Sequence, residues 1–340
     1  EPYRRQRQMC IRDRSWDHPG LQVGNPNQSV HKILVALDMT ELNISYAIDH
    51  GVDMVISHHP FLFKPIHDID LSTCKGRMIE NLIRHRITSF AAHTNLDSAV
   101  QGVNDALAEK LGLQECKGFV PVMTYSSYKF TLYITAAHAK LLKKKLDSLR
   151  GKDIESYYVV DDADDFTENI RVEFRVPGQL VKQVKDMISS LDKSAKYDVY
   201  KLVNHGYKET MGRIGKFPFP MSVEEALSYI KNKLEIPVLR YAGNRDRLVE
   251  KIAILGGAGA EFAEVAKSMG ADLYLTGDLK YHEAQDAAMN GLVIADGGHF
   301  YTERVIIPYL AKRLRDEFKT RGWNVGVLED VRAKDIFHCV

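Results

Sequence analysis

Three pairs of residues stand out for the chemistry that their types and spacing allow. His58 and His59 are adjacent in SHHP. His93 and Asp97 lie four positions apart in HTNLD, and His299 and Glu303 lie four apart in HFYTE. Four residues make about one helical turn, so each histidine and its carboxylate face the same way. Imidazole is the commonest side-chain metal ligand near neutral pH. Four or five nitrogen and oxygen ligands with two carboxylates and no thiolate suit Zn, Mn or Fe better than a closed structural zinc. A glutamate such as Glu303 can bridge two cations, as a dinuclear centre requires, with the ions roughly 3.5–4 Å apart and sharing an activated water. Each pair taken alone is weak evidence, and for His58–His59 ordinary core or capping histidines fit better. The three together, all at strand ends, point to a metal.

Two further motifs offer chemistry. In GDLKYHE (277–283), Asp278 and His282 are candidates for orienting ligands or moving protons, and Asp278 alternatively caps a helix starting near Leu279. GGAG (256–259) is a glycine turn leading into a helix. Such backbone can cradle phosphate, but the Lys-Ser/Thr of a Walker loop is missing and a simple tight turn fits better. There is no Gly-x-Ser-x-Gly, no setting for a reactive cysteine and no clustered aromatic platform.

These residues need elements to position them. KILVALDMTELNISYAIDHGVDMVIS, from Lys32, reads as a buried strand, a helix capped by Thr40 and stopped at Gly51, and a second buried strand. KIAILGGAGAEFAEVAKSMGADLYLT, from Lys251, has the same order, and Lys32 to Ser57 and Lys251 to Thr276 each span 25 positions. RITSFAAHTNLD and GLVIADGGHFYTE then each run a strand into a histidine–carboxylate pair at the head of a helix. The expected fold is α/β, with parallel strands and two pseudo-repeated halves around the dinuclear site. Ligands in such sheets gather beyond the carboxyl ends of the strands. Between the halves the pattern becomes βαβ-βαβ, the ferredoxin-like order. The expected organisation is a metal-binding α/β domain over 15–127 and 210–340, interrupted by an insertion over 128–209. The run DDADD (161–165) reads as a solvated loop.

With 46 basic and 45 acidic residues, the net charge of +1 argues against an extended nucleic-acid surface. No apolar run is long enough for a membrane span. Cys10, Cys74, Cys116 and Cys339 are far apart with no CxxC pair, which fits a reducing compartment such as the cytoplasm. Residues 1–14, EPYRRQRQMCIRDR, lack an apolar signal core and any periodicity. They read as an anomalous, disordered tail outside the fold.

WDHPGLQVGN (16–25), SHHP, AHTNLD, LGGAGA, YLTGDLKYHEA and DGGHFYTE together resemble the GTP cyclohydrolase I type 2 homologues, the Nif3-like dinuclear-metal proteins. The resemblance covers residues 16–127 and 210–340, and the central segment is similar to the CutA/PII-like insertion of longer bacterial members. It implies a homohexamer with two divalent metal ions per subunit, held by His58, His59, Asp97, His299 and Glu303, with His93 close by. It also implies hydrolytic opening of the purine ring of GTP. For a metal-dependent hydrolase of a nucleotide or related heterocycle, His93 or, second to it, His282 is the residue expected to move protons. A metal-stabilised ring that binds a protein partner or small-molecule signal without turnover needs the same ligands. Three departures stand out. The helix that usually precedes WDHPGLQVGN is replaced by the tail, His18 stands where the usual motif has Asn, and the insertion lacks a Gly-rich central stretch, which weakens a PII-like sensing role.

Overall fold

The unbroken apolar runs become parallel strands buried on both faces, as such runs must. The computed structural model describes residues 17–147, 155–160 and 169–338. The 1–14 tail, the DDADD run, Cys10 and Cys339 lie outside the described residues. The chain divides into two compact units, residues 1–120 with 210–340, and residues 121–209.

The first unit contains two sheets built alike. One has the order Gly20–Val23, Thr88–Ala91, Met54–Ser57, Lys32–Ala36, Gly326–Glu329; the other has Arg240–Ala242, Val293–Asp296, Leu273–Gly277, Leu248–Ala258, Arg213–Ser222, Gln114–Lys117. Four neighbouring strands of the first and three of the second run parallel, and in each sheet a short antiparallel strand flanks them, Gly20–Val23 and Arg240–Ala242. The repeat extends to the register, since Ile33 opposes Met54 and Ile252 opposes Leu273, 21 positions apart in both. Asp53 accepts the backbone N–H groups of His31 and Lys32, and Asp272 accepts those of Glu250 and Lys251. Two α/β halves repeat, down to the carboxylates that pin their strands.

Alternation along the strand Lys32–Ala36 sends Leu34 and Ala36 to one core, with Ile44, Ile79 and Leu82. Ile33 and Val35 go to another, with Val103, Phe300, Ile306 and Ile307. Helix Val103–Lys110 carries Val103 and Ala106 into that second core, while its Leu107 joins the core of the other sheet. The short helices bearing the two histidine–carboxylate pairs are thus anchored by well-packed neighbours.

In the second unit the strands Val120–Thr135, Glu155–Val160, Asn169–Pro177 and Lys196–Met211 and the helices Ala136–Asp147 and Val181–Leu191 follow the order βαββαβ. The sheet order places Glu155–Val160 outermost, then Asn169–Pro177, Val120–Thr135 and Lys196–Met211, with antiparallel pairing where the register is described. That is the ferredoxin-like arrangement. Its first strand begins at Val120, eight residues before the alternating stretch YKFTLYIT that starts at Tyr128. Among the described residues, no helix is long and apolar enough to cross a membrane.

Candidate metal centre

The strand Met54–Ser57 ends where its pairing continues through two more amides. His58 N–H donates to Ala36 O (3.1 Å) and His59 N–H to Leu37 O (2.9 Å). Adjacent residues on a regular strand would point to opposite faces, but the chain bends here into Pro60 and Ser57 Oγ donates to His59 O. Both rings consequently face one place, with centroids 5.0 Å apart. His93 precedes the short helix Thr94–Asp97, and His299 and Glu303 open and close the helix His299–Glu303. Gly298, at φ +75, makes the turn that aims His299 inward, a conformation few side-chain-bearing residues adopt.

The five expected ligands converge although His58 and Glu303 are 245 positions apart in sequence. Glu303 Oε2 lies 2.9 Å from His59 Nε2 and 3.1 Å from His299 Nε2. Its other oxygen, Oε1, lies 3.6 Å from His58 Nε2, which is itself 3.6 Å from Asp97 Oδ1. Among the described residues, the groups able to hold a metal ion are His59–His299–Glu303, His58–Asp97–Glu303 and His58–His59–His93. Glu303 is shared by the first two. His58 Nε2 and Asp97 Oδ1 are buried without a hydrogen-bond partner. Buried polar atoms are normally paired, and two facing orphans are what a cation would satisfy. The residues fit a metal.

Each of the four imidazoles of the cluster gives its Nδ1 to an acceptor. His58 bonds Ala92 O (2.8 Å), His59 bonds Asp38 (2.7 Å), His299 bonds Asp278 (2.7 Å) and His93 bonds Asp17 (2.8 Å). An acceptor on Nδ1 leaves Nε2 for the metal, the usual arrangement around ligating histidines. Asp278 therefore does not cap a helix. The helix starts at Tyr281 with Lys280 as its cap, and the Asp278 carboxylate turns to His299. His282 is exposed on that helix, against the Tyr281 ring, and does not line the site. The glycine turn offers no free phosphate cradle at its first two amides. Gly256 N–H donates to Asn104 Oδ1 and Gly257 N–H to Thr302 Oγ1. Sequence reasoning missed Asp17 and Asp38. The signal for Asp38 was its place directly after the ILVAL run, and Asp17 sat unremarked in the WDH motif.

Charge follows this geometry. Burial opposes protonation of His59, but hydrogen bonds to Asp38 and Glu303 outweigh it and push its pKa up to about 10. The same competition, with Glu303 and Asp278, raises His299 to about 9. Burial likewise opposes the charged form of His58, and the Asp97 and Glu303 carboxylates overcome it. Burial raises Asp97 to about 6, with the Glu303 charge adding to it. Burial works against ionised Glu303 too, yet the surrounding imidazoles hold it well below the usual range. His93 is pulled down by burial despite its bond to Asp17.

This sets the pH dependence of the metal-free protein. His59 and His299 lose their protons near 6.5 when unfolded and near 10 and 9 when folded. Their contribution to stability is complete below 6.5 and is lost as pH rises through 9 and 10. Thermal melts of metal-free protein should show the melting temperature falling across that range. Saturating divalent metal needs the same nitrogens unprotonated, so it should flatten or reverse the slope. A metal-free melting temperature that rises with pH over this interval would contradict the Glu303 pairing.

A cavity of about 540 Å³ opens on the cluster, lined also by the apolar Pro60, Phe63, Met211 and Leu255 and by Glu261. A cavity of about 610 Å³ elsewhere, lined by Arg304, Tyr309 and Glu329 among others, contains none of the metal-capable groups.

The Duf34/NIF3 (NGG1p interacting factor 3) family profile matches residues 8–334. A curated GTP cyclohydrolase 1 type 2 homolog of Halalkalibacterium halodurans is 32% identical over 345 residues, covering 94% of this chain and 92% of the relative. The homolog of the same name in Bacillus subtilis is 32% identical, covering 92% and 90%. Among solved structures, a Bacillus cereus protein related to NIF3 superposes with a TM-score of 0.85 at 33% identity, covering 96% of this chain and 94% of that one.

Proposed function

The chain belongs to the Duf34/NIF3 family, and on that footing we propose that it is a dinuclear divalent-metal-dependent hydrolase acting on a nucleotide or a related heterocycle. The observation that carries this reading is the two-sided use of Glu303, whose Oε2 faces His59 and His299 while Oε1 faces His58 beside Asp97. His59, His299 and Glu303 would hold one ion and His58, Asp97 and Glu303 the other. Zn, Mn and Fe all suit this donor set. Two such cations supply Lewis acidity for activating water and polarising the bond attacked.

The chain's own residues do the rest. Asp38 and Asp278 fix the rings of His59 and His299 through Nδ1, so that both Nε2 atoms stay turned toward Glu303 and the ion it would share. His93, next to the ligands but outside the Glu303 pairing, is the group placed to take up or deliver a proton. Pro60, Phe63, Met211 and Leu255 exclude water from one side and suit the flat face of a ring. A volume of about 540 Å³ falls within the range for small-molecule sites. The resemblance to Nif3-like proteins supports assembly as a homohexamer, which light scattering at micromolar concentration reads directly. The unpaired thiols of Cys74 and Cys116 support a cytoplasmic location.

The test is metal analysis of the purified protein together with a turnover screen of nucleotides. We expect divalent metal and hydrolysis of at least one nucleotide. His93→Gln should retain the metal and lose about 10²–10⁴-fold in kcat. Full metal occupancy with no turnover of any nucleotide would replace the hydrolase by a metal-stabilised ring that binds a partner.

A further inference from the structure

The acceptors that hold the four imidazoles differ in kind. Asp38 and Asp278 are half-exposed carboxylates, and Ala92 offers a carbonyl. Asp17 is fully buried, at 0% exposure, and its two oxygens serve four donors. Oδ1 accepts His18 N–H (2.9 Å) and His93 Nδ1 (2.8 Å), and Oδ2 accepts Thr94 N–H (3.3 Å) and the Thr94 hydroxyl. A carboxylate held on both oxygens cannot rotate without leaving a buried donor unpaired, at a cost of about 1–3 kcal/mol.

We infer that Asp17 is a positioning residue that fixes His93 as its Nδ1–H tautomer and so directs an unprotonated Nε2 into the metal pocket. The purpose of this device rests on the hydrolase reading; its geometry does not. An ionised carboxylate only accepts, so the hydrogen in the Asp17–His93 bond sits on Nδ1. The ring's remaining lone pair is then on Nε2. One ring nitrogen of each of His58, His59 and His93 lies within 4.8 Å of the others, and His93 lines the cavity at the cluster; with Nδ1 engaged by Asp17, Nε2 is the nitrogen left to face the metal-capable groups. A neutral ring so held can accept a proton at Nε2 while Asp17 stabilises the resulting imidazolium, the part a buried aspartate plays behind a catalytic histidine elsewhere. Thr94 gives the arrangement a second function. It binds Asp17 and also opens the helix that ends in Asp97, so one buried carboxylate registers His93 against a metal ligand. A purely structural Asp17 would need only the two Thr94 donors and no bond to His93.

The two roles separate by nuclear magnetic resonance of zinc-loaded, full-length protein labelled with ¹⁵N-histidine. Ring nitrogen shifts report the tautomer, and the resonances missing in His93→Gln assign those of His93. The expected wild-type signature is a protonated Nδ1 and an unprotonated Nε2. In Asp17→Asn the amide oxygen is expected to stay on the two Thr94 donors. Its NH₂ then faces His93, which must accept at Nδ1 and carry its hydrogen on Nε2, while His18 N–H loses its acceptor. Asp17→Ala, without either oxygen, should show mixed tautomers. Zinc content and circular dichroism should match wild type in both. An Nε2–H signature in the wild type would overturn the inference, as would a wild-type signature surviving in folded Asp17→Ala. Should Asp17→Ala not fold, an unaltered signature in Asp17→Asn overturns it equally. None of these readouts involves turnover, so failure of the hydrolase reading and failure of this one are told apart.

Discussion

Glu303→Gln is expected to lose one or both metal ions and remain folded. Glutamine has the shape of glutamate, so the packing of the helix His299–Glu303 is kept. What changes is charge and capacity. A neutral amide cannot offset two cations or offer both of them an oxygen. It also puts an NH₂ against either the His59–His299 pair or His58. Loss of a partner that merely orients a ligand typically costs about 10–100-fold in metal affinity, and removal of the shared ligand should exceed that. The fold should survive because Ile33, Leu34, Ile252 and Ile254 hold the strands from cores in which Glu303 takes no part. Metal content and circular dichroism beside wild type decide the matter. Full retention of metal would remove Glu303 from the ligand set, and global unfolding would make the site structural rather than catalytic.

The elements that carry this site were legible because burial wrote them plainly. ILVAL, DMVIS, IAIL and LYLT are unbroken apolar runs because their strands are covered on both faces, and their matched spacing anticipated the matched register. Gly326–Glu329 and Gln114–Lys117, which complete the two sheets from distant parts of the chain, are short, and the second is wholly exposed. Neither carries an apolar run to betray it. Arg213–Ser222 contains Pro218 and Pro220, which argue against a strand between two neighbours. Its register against Leu248–Ala258 shifts between Lys216 and Met221, so the prolines fall where the ladder is interrupted. The histidine–carboxylate pairs could be found by spacing alone. Asp17 and Asp38 are single carboxylates whose partners lie 76 and 21 positions away, a separation that only the folded chain closes.

Gly257→Ala should separate the fold from the site most cleanly. Gly257 has φ +69, and a Cβ added there would lie 2.2 Å from Glu303 Oε1 and 3.3 Å from His299 Nε2. The backbone cannot retreat. Gly257 N–H donates to Thr302 Oγ1 and Gly257 O accepts from Thr276 Oγ1, both at 3.1 Å. The Glu303 carboxylate must yield instead. It is the end of a side chain, so its movement costs the fold little, but it turns away from His58 and disturbs the bonds to His59 and His299. Left-handed backbone adds about 1–2 kcal/mol for any residue other than glycine. Gly51→Ala supplies the control, because Gly51 has φ +60 and a Cβ there meets nothing within 4 Å. Both variants should therefore melt a few degrees below wild type by a similar amount. Only Gly257→Ala should also lose metal, and turnover with it. Wild-type metal affinity in Gly257→Ala would mean that Glu303 does not present Oε1 toward His58, and the two-sided carboxylate on which a dinuclear centre depends would have to be abandoned.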